Sequence, residues 1–305
     1  MTLDKIVLIK KATQLEEMLR RFTTPSRVKF VLESRGESFD YYKEAHDTYK
    51  IGLEQALATL PIDIRKQTVD KNHLSTFQFG DTDLIVVVGD DGLVVNVAKY
   101  VGKQPIISVN PDEKRFDGVL ASCTIPNFPG LLKATLGLTY STESLTMAET
   151  RLEDGQMMYA LNDLFIGRRT HVSAKYTVEY MGKQEKQSSS GLIVSTGTGS
   201  TGWMRSILTG ANMIANGTRV SSHIPFPQDA DYLLFAAREP FPSKMSNTDI
   251  VFGKVSARYP LKITSNMPEG GVIFSDGIEE DYLDFNAGSI ATIQPSEKKV
   301  YLVHP

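Results

Sequence analysis

Apolar positions in the first third of the chain follow two different periods. Lys5-Ile-Val-Leu-Ile9 and Leu84-Ile-Val-Val-Val88 are short, nearly unbroken branched runs, the pattern of parallel strands covered on both faces. Between them, Tyr42, Ala45, Tyr49, Gly52, Leu53, Ala56 and Leu60 recur at three and four. That spacing predicts one long helix over about Asp40–Leu60, stopped by Pro61. The same reading places a helix at Gln14–Phe22, a strand at Ile62–Val69, a short helix from Gly92 to about Tyr100 and a strand at Pro105–Val109. Strand, helix and strand joined by short turns imply an α/β layer with a doubly wound sheet.

After about Thr124 the pattern changes. Val172, Ala174, Tyr176, Val178 and Tyr180 alternate with Ser173, Lys175, Thr177 and Glu179, as in a half-exposed antiparallel strand. Met181-Gly182-Lys183 is the expected turn. Further strands are expected at Tyr159–Ile166, Leu192–Ser195, Tyr232–Ala236, Leu261–Thr264 and Val272–Phe274, and Gln187-Ser-Ser-Ser190 reads as a polar loop. The second half is therefore mainly β.

At 305 residues the chain is long enough for two domains. A net charge of −3 gives no sign of a nucleic-acid binder. The apolar runs fall well short of the roughly 20 residues of a membrane helix. The one cysteine, Cys123, allows no intrachain disulfide and has no His or Cys pattern around it, so no metal or catalytic role is expected for it. With an N-terminus that reads as a strand, the expected location is cytoplasmic.

Three features carry chemistry. Gly89-Asp90-Asp91-Gly92 sits between a buried strand and a helix, where open α/β sheets bind ligands. Glycines there admit a phosphate to the backbone, and a carboxylate can accept a proton or help hold Mg²⁺. A tight turn with an aspartate N-cap explains the same residues without function. Ser195-Thr-Gly-Thr-Gly-Ser-Thr-Gly202 follows an apolar strand and supplies hydroxyls and free backbone suited to a ribose, an adenine edge or a phosphate. Trp203 adds an aromatic face. Asn162-Asp163 interrupts the apolar run Ala160–Ile166, and such polar groups need a partner.

Taken in order, these features resemble the NAD kinase family. The family pattern is Gly-Gly-Asp-Gly, a strand ending in Asn, an Asn-Glu pair, and an Asp-Gly strand leading into a Thr/Ser/Gly loop. Here it reads Gly89-Asp90-Asp91-Gly92, Val109-Asn110, Asn162-Asp163, and Ser190-Gly191 leading to Thr198-Gly-Ser-Thr-Gly-Trp203. The mitochondrial-type branch is the nearest likeness, sharing the helical insert, Asn110-Pro-Asp112 to Gly118, and Ser-Ser-Gly. The resemblance implies an α/β domain over residues 1–124, completed by the tail 286–305. It also implies a β-sandwich-like domain over 125–285, with the active site between the two. Asp91 would be the catalytic base and Gly92 would approach the dinucleotide, with Gly89 and Asp90 near the phosphates. Asn110, Asn162, Asp163, Ser190, Thr198, Thr201, Gly202, Trp203 and Ser206 would complete the nucleotide site. ATP or a related donor with Mg²⁺, NAD as acceptor, and a homodimer or homotetramer follow from the same likeness. A lipid or sugar kinase, or a non-catalytic nucleotide-binding homologue, is the alternative.

The chain departs from the pattern at three places. Asp163 is one methylene shorter than the usual Glu, and Ser190 replaces Asp, as in the mitochondrial-type branch. Asp90 replaces the second glycine and adds an anion where phosphates belong, which is unfavourable unless Mg²⁺ or a lysine offsets it. His46 is expected on the surface, and Arg115, Arg168 and Arg169 are expected to be solvated or ion-paired.

Overall fold

The computed structural model describes residues 3–217 and 225–304, and the chain divides into two compact units. Unit 1 comprises Met1–Glu143 with Val300–Pro305, and unit 2 comprises Ser144–Lys299. No helix among the described residues is long and apolar enough to cross a membrane.

Unit 1 runs β1 (Lys5–Lys10), α1 (Gln14–Phe22), α2 (Pro25–Ser34), α3 (Phe39–Thr59), β2 (Arg65–Asp70), β3 (Asp83–Val88), α4 (Asp91–Ala98), β4 (Pro105–Asn110), β5 (Cys123–Thr124) and α5 (Phe128–Leu136). Its strands lie parallel in the order β4-β3-β1-β2, with Leu8 opposite Val86 and Thr68. Every residue of β3 and β4 is buried, as the unbroken apolar runs require. On one face α3 presses Tyr49, Leu53 and Ala56, and α5 presses Phe128 and Leu132, onto Leu8, Val86 and Val109. Thr13 starts α1 through a capping box with Glu16, each satisfying the other's backbone N–H.

Unit 2 runs β6 (Ser141–Leu152, mostly within it), β7 (Met157–Ala160), β8 (Asp163–Arg168), β9 (Ala174–Tyr180), β10 (Lys183–Ser189), β11 (Leu192–Ser195), α6 (Trp203–Asn216), β12 (Tyr232–Ala237), β13 (Phe252–Ser256), β14 (Leu261–Ser265), β15 (Gly271–Ser275), β16 (Tyr282–Asp284) and β17 (Ile290–His304). One antiparallel sheet has the order β13-β12-β11-β8-β15-β16. A second runs β10-β9-β14-β17, and the last residues of β17 enter unit 1 to pair with β4. Leu164, Val194 and Phe235 of the first sheet share a core with Tyr176, Val178 and Ile263 of the second. Two sheets with one dry face each make a sandwich.

Three expectations are corrected. The run 159–166 is not one strand: β7 ends at Ala160 and β8 begins at Asp163, leaving Leu161 and Asn162 as the joint. Residues 187–189 are the end of β10 rather than a loop. Buried Gln187 donates to Ile250 O at 3.0 Å, and buried Ser189 bonds the Tyr176 hydroxyl at 2.8 Å, so the inward face is polar and largely satisfied, the Gln187 Oε1 being without a partner among the described residues. His46 is half-buried rather than a surface residue, and its Nδ1 lies 2.8 Å from the Thr13 hydroxyl.

Candidate active site

In unit 1 the site is built where parallel strands end. Gly89 closes β3 with its N–H on Val109 O at 3.1 Å. Asp90 is the extended N-cap of α4, its carboxylate accepting the Leu93 N–H at 3.1 Å. The same carboxylate is ion-paired with the Lys11 ammonium. Lys11 follows β1 directly, so a parallel neighbour of β3 delivers the lysine to the aspartate. The anion that replaces glycine thus has its offsetting charge within the fold.

Asp91 opens α4 and faces the loop after β4. Its two carboxylate oxygens accept the N–H groups of Val119 and Leu120 at 2.9 and 3.0 Å. The Asn110-Pro-Asp112 to Gly118 stretch shapes that loop. Asn110 donates to Phe116 O at 2.9 Å and accepts from Asp112 N–H at 3.0 Å, and Asp112 holds Arg115 at 2.8 Å. Gly118 has φ +66, and a Cβ there would stand 2.9 Å from the Asn110 amide, so both conformation and space call for glycine. Asn110 therefore spends its side chain on positioning the loop that receives Asp91. Gly92 is exposed at the turn.

Beside this turn lies a cavity of about 400 Å³, reached by the ends of four strands. Lys11 follows β1, Lys71 follows β2, Gly89 follows β3 and Pro111 follows β4, and all four residues line it. Tyr49 ties α3 to the sheet: its hydroxyl accepts Lys11 N–H at 3.0 Å and donates to Val88 O at 3.2 Å. Burial pushes that phenol up to about 12. The sequence pattern does not single out Lys11, and it marks Tyr49 only as part of a helical stripe and His46 only as a surface residue. The place of Lys11, one residue past a central strand, is the signal that could have marked it.

In unit 2, Leu161-Asn162-Asp163 is clamped from two sides. Asp276, at φ +58, accepts the N–H of Asn162 at 2.7 Å and, more weakly, those of Leu161 and Asp163 at 3.3 Å. Its own N–H donates to Asp163 O at 2.8 Å. From the Thr/Ser/Gly loop, Thr196 donates its N–H to Asn162 O at 2.9 Å and its hydroxyl to Leu161 O at 2.5 Å. A Cβ on Gly199 would collide with Asn162 O, so the loop closes on this joint only with glycine there.

The clamp leaves polar atoms unspent. Asp163 is 8% exposed, and its Oδ1 has no partner among the described residues; nor has the Oγ1 of Thr198, also 8% exposed. Burial lifts the Asp163 carboxyl to about 7, a hydrogen bond from Ser195 opposes the rise, and the charge of Asp276 adds to it. Between an unfolded value near 3.9 and about 7, the folded chain holds a proton that the unfolded chain has lost. Stability is therefore full below that window and falls as pH rises through it. Asp163→Asn removes the loss: its melting temperature should match wild type near pH 4, exceed it increasingly toward pH 7, and stay above it thereafter. Melts of the unliganded proteins showing a constant difference across this range would contradict a buried, protonated Asp163.

The remaining predicted residues are accounted for within unit 2. Ser190 donates its hydroxyl to Glu239, and Trp203 stacks on Phe165 at 5.8 Å with Arg238 over its ring at 5.2 Å. Thr201, Gly202 and Ser206 are exposed at the start of α6. The structure thus assembles 89–92 with Asn110 in unit 1, and 162–163 with the 195–199 loop in unit 2. Arg115 is paired with Asp112 and with Glu44 at 3.2 Å, and Arg168 lies 3.9 Å from Glu269. Arg169 lies over the Tyr282 ring at 4.1 Å. Cys123 is buried, its thiol pushed up to about 12 by burial alone, which leaves it unreactive.

Residues 8–138 match the model of the ATP-NAD kinase N-terminal domain. A probable NADH kinase of Oryza sativa subsp. japonica is 26% identical over 231 residues, 68% of this chain and 66% of the relative. The NAD kinase of Geobacter sp. (strain M21) is 29% identical over 155 residues, 46% of this chain and 50% of the relative. The chain thus spans between half and two thirds of the length of these curated relatives. Among solved structures, an NAD kinase from Archaeoglobus fulgidus in complex with ATP superposes with a TM-score of 0.57, at 18% identity, over 98% of this chain and 92% of that one. Yeast NADH kinase complexed with NADH gives 0.58, at 14% identity, over 100% and 84%. Residues 8–138 thus match the ATP-NAD kinase N-terminal domain, and the whole chain shares the fold of these two solved kinases.

Proposed function

We propose that this chain transfers a phosphoryl group from ATP, or a related donor, to the adenosine-ribose 2′-hydroxyl of NAD, giving NADP. The observation that carries the acceptor assignment is the clamped joint at Asn162-Asp163. Fixed backbone on both sides, a buried carboxyl oxygen and a buried hydroxyl without partners describe a place prepared for ligand hydroxyls. The solved relatives carry ATP in one case and NADH in the other, which agrees with a nucleotide donor and a dinucleotide acceptor. The adenosine end is common to NAD and NADH, so this joint reads the part of the acceptor that both share.

In the transfer, the 2′-oxygen attacks the terminal phosphorus, its proton passes to Asp91, and the bridging oxygen leaves with the nucleoside diphosphate. Both Asp91 oxygens already accept a backbone N–H, which fixes the carboxylate while leaving each oxygen a further lone pair for the hydroxyl. Lys11 cancels the charge of Asp90 beside the donor phosphates. Mg²⁺ keeps most of its waters and needs only one or two carboxylates besides the phosphates, a demand that Asp90 and Asp91 at the turn can meet. When bound, it would neutralise charge on the transferring group. Cytoplasmic residence and assembly as a homodimer or homotetramer belong to the same proposal.

Calorimetry with NAD and with ATP tests the acceptor assignment. Asn162→Ala should weaken NAD binding by about 1–3 kcal/mol and ATP binding much less. Equal losses for both ligands would mean general damage to the protein. No NAD binding by the wild type at millimolar concentration would sink the reading.

A further inference from the structure

The cavity beside the glycine turn has an aromatic wall that the transfer chemistry leaves unused. Tyr41, Tyr42, His46 and Tyr49 line it from successive turns of α3, facing the strand ends that carry Lys11 and Gly89. Its charges cancel locally. Lys11 is paired with Asp90, and Arg115 is paired with Asp112. Lys71 and Glu17 complete the charged lining with one charge of each sign. A triphosphate gains little from a lining without net positive charge, and its natural place is the mouth, at the exposed turn. A neutral planar ring suits the interior.

We propose that this wall receives the purine base of the phosphate donor, making the chain selective for nucleoside triphosphates over inorganic polyphosphates. The inference rests on the kinase reading above and deepens it. Tyr41 is 53% exposed, stands edge-on to Tyr42 at 5.6 Å, and has the Arg115 guanidinium over its ring at 5.2 Å. An aromatic ring flanked in this way is fixed in orientation while much of its surface stays open to a ligand. The Thr13 hydroxyl orients the His46 imidazole through Nδ1, and Nε2 has no partner among the described residues, so it can meet a ring nitrogen or amino group of the base. The cavity lies within the size range of small-molecule sites, about 300–1,000 Å³.

The test uses NADP formation by the full chain, reading the KM for ATP and the Ki of inorganic triphosphate against ATP. Tyr41→Ala should raise the ATP KM by roughly 5- to 100-fold, the range of one lost base–aromatic stack, and leave the triphosphate Ki within about twofold. Tyr41→Phe, which keeps the ring, should behave as wild type. Parallel weakening of both ligands would assign the wall to the phosphates and overturn the proposal. An ATP KM unchanged in Tyr41→Ala would also overturn it, while NADP formation by the wild type would leave the kinase reading standing. If the wild type forms no NADP, the inference falls together with that reading.

Discussion

Asp91→Asn is expected to lower kcat by roughly 10²–10⁴-fold, the usual worth of a positioned general base, in a protein that remains folded. The aspartate sits in the first turn of α4, half exposed, and contributes nothing to the apolar core. Its bonds to the Val119 and Leu120 N–H groups hold it in place before any substrate arrives, which is the preorganisation a base needs. The asparagine keeps one acceptor oxygen, but its NH₂ turns toward a backbone N–H that now lacks an acceptor. Some loosening of the 118–120 loop is therefore expected in a melt. Loosening alone would raise KM along with lowering kcat, whereas loss of the base lowers kcat at nearly constant KM. A folded Asp91→Asn protein with wild-type kcat would remove the base from the mechanism.

The second large effect concerns the pair that replaces a glycine. Lys11→Met should reduce kcat/KM for the donor by roughly 10- to 100-fold, because an uncompensated Asp90 a few ångströms from phosphate repels it by a few kcal/mol at an effective dielectric of about 20. Adding Asp90→Gly to Lys11→Met should recover most of that loss, since the offending charge is then gone. This is a double-mutant cycle with strong coupling, as expected for groups in direct contact. If Lys11→Met costs as much in the Asp90→Gly background as in the wild type, Lys11 acts on the substrate directly. Titrating Mg²⁺ against Asp90→Gly separates a metal role from charge balance: an unchanged titration curve takes Asp90 out of metal binding.

Much of unit 1 was legible because its strands and helices obey single periods. The buried runs of β1 and β3 and the stripe Tyr49, Leu53, Ala56 of α3 each declare one partner surface. The helix α2 went unread. Only Val28 and Leu32 of it are buried, while Phe30 is 74% exposed, so no clean stripe marks the inward face. In unit 2 the strand β10 was hidden for the opposite reason. Its inward residues Glu185, Gln187 and Ser189 are polar, and only distant partners such as the Ile250 N–H, 2.9 Å from Glu185, make them tolerable inside. The long strand β17 was obscured by Pro295 and the charged run Glu297-Lys298-Lys299.

The site divides along the same line. Glycine turns, the Asn110 to Gly118 spacing and the Thr/Ser/Gly loop are local, so spacing alone exposes them. Lys11 and Asp276 work only through residues far away in sequence: the partner of Lys11 is Asp90, 79 positions on, and Asp276 grips Asn162 across 114. A lysine after one strand and an aspartate after another carry no signal until the sheets bring them to their targets. The departure at Asp90, which looked costly in the sequence, makes physical sense only once Lys11 is beside it.

The proposed reaction is phosphorylation of NAD on its adenosine ribose. The direct measurement is incubation of the purified chain with NAD, ATP and Mg²⁺, followed by mass spectrometry and phosphorus NMR of the product. The expected product is NADP carrying its new phosphate on the 2′-oxygen, formed only when NAD and a phosphate donor are both present. A protein that binds both nucleotides yet leaves NAD unchanged, or that passes the phosphate to a different hydroxyl, would contradict it.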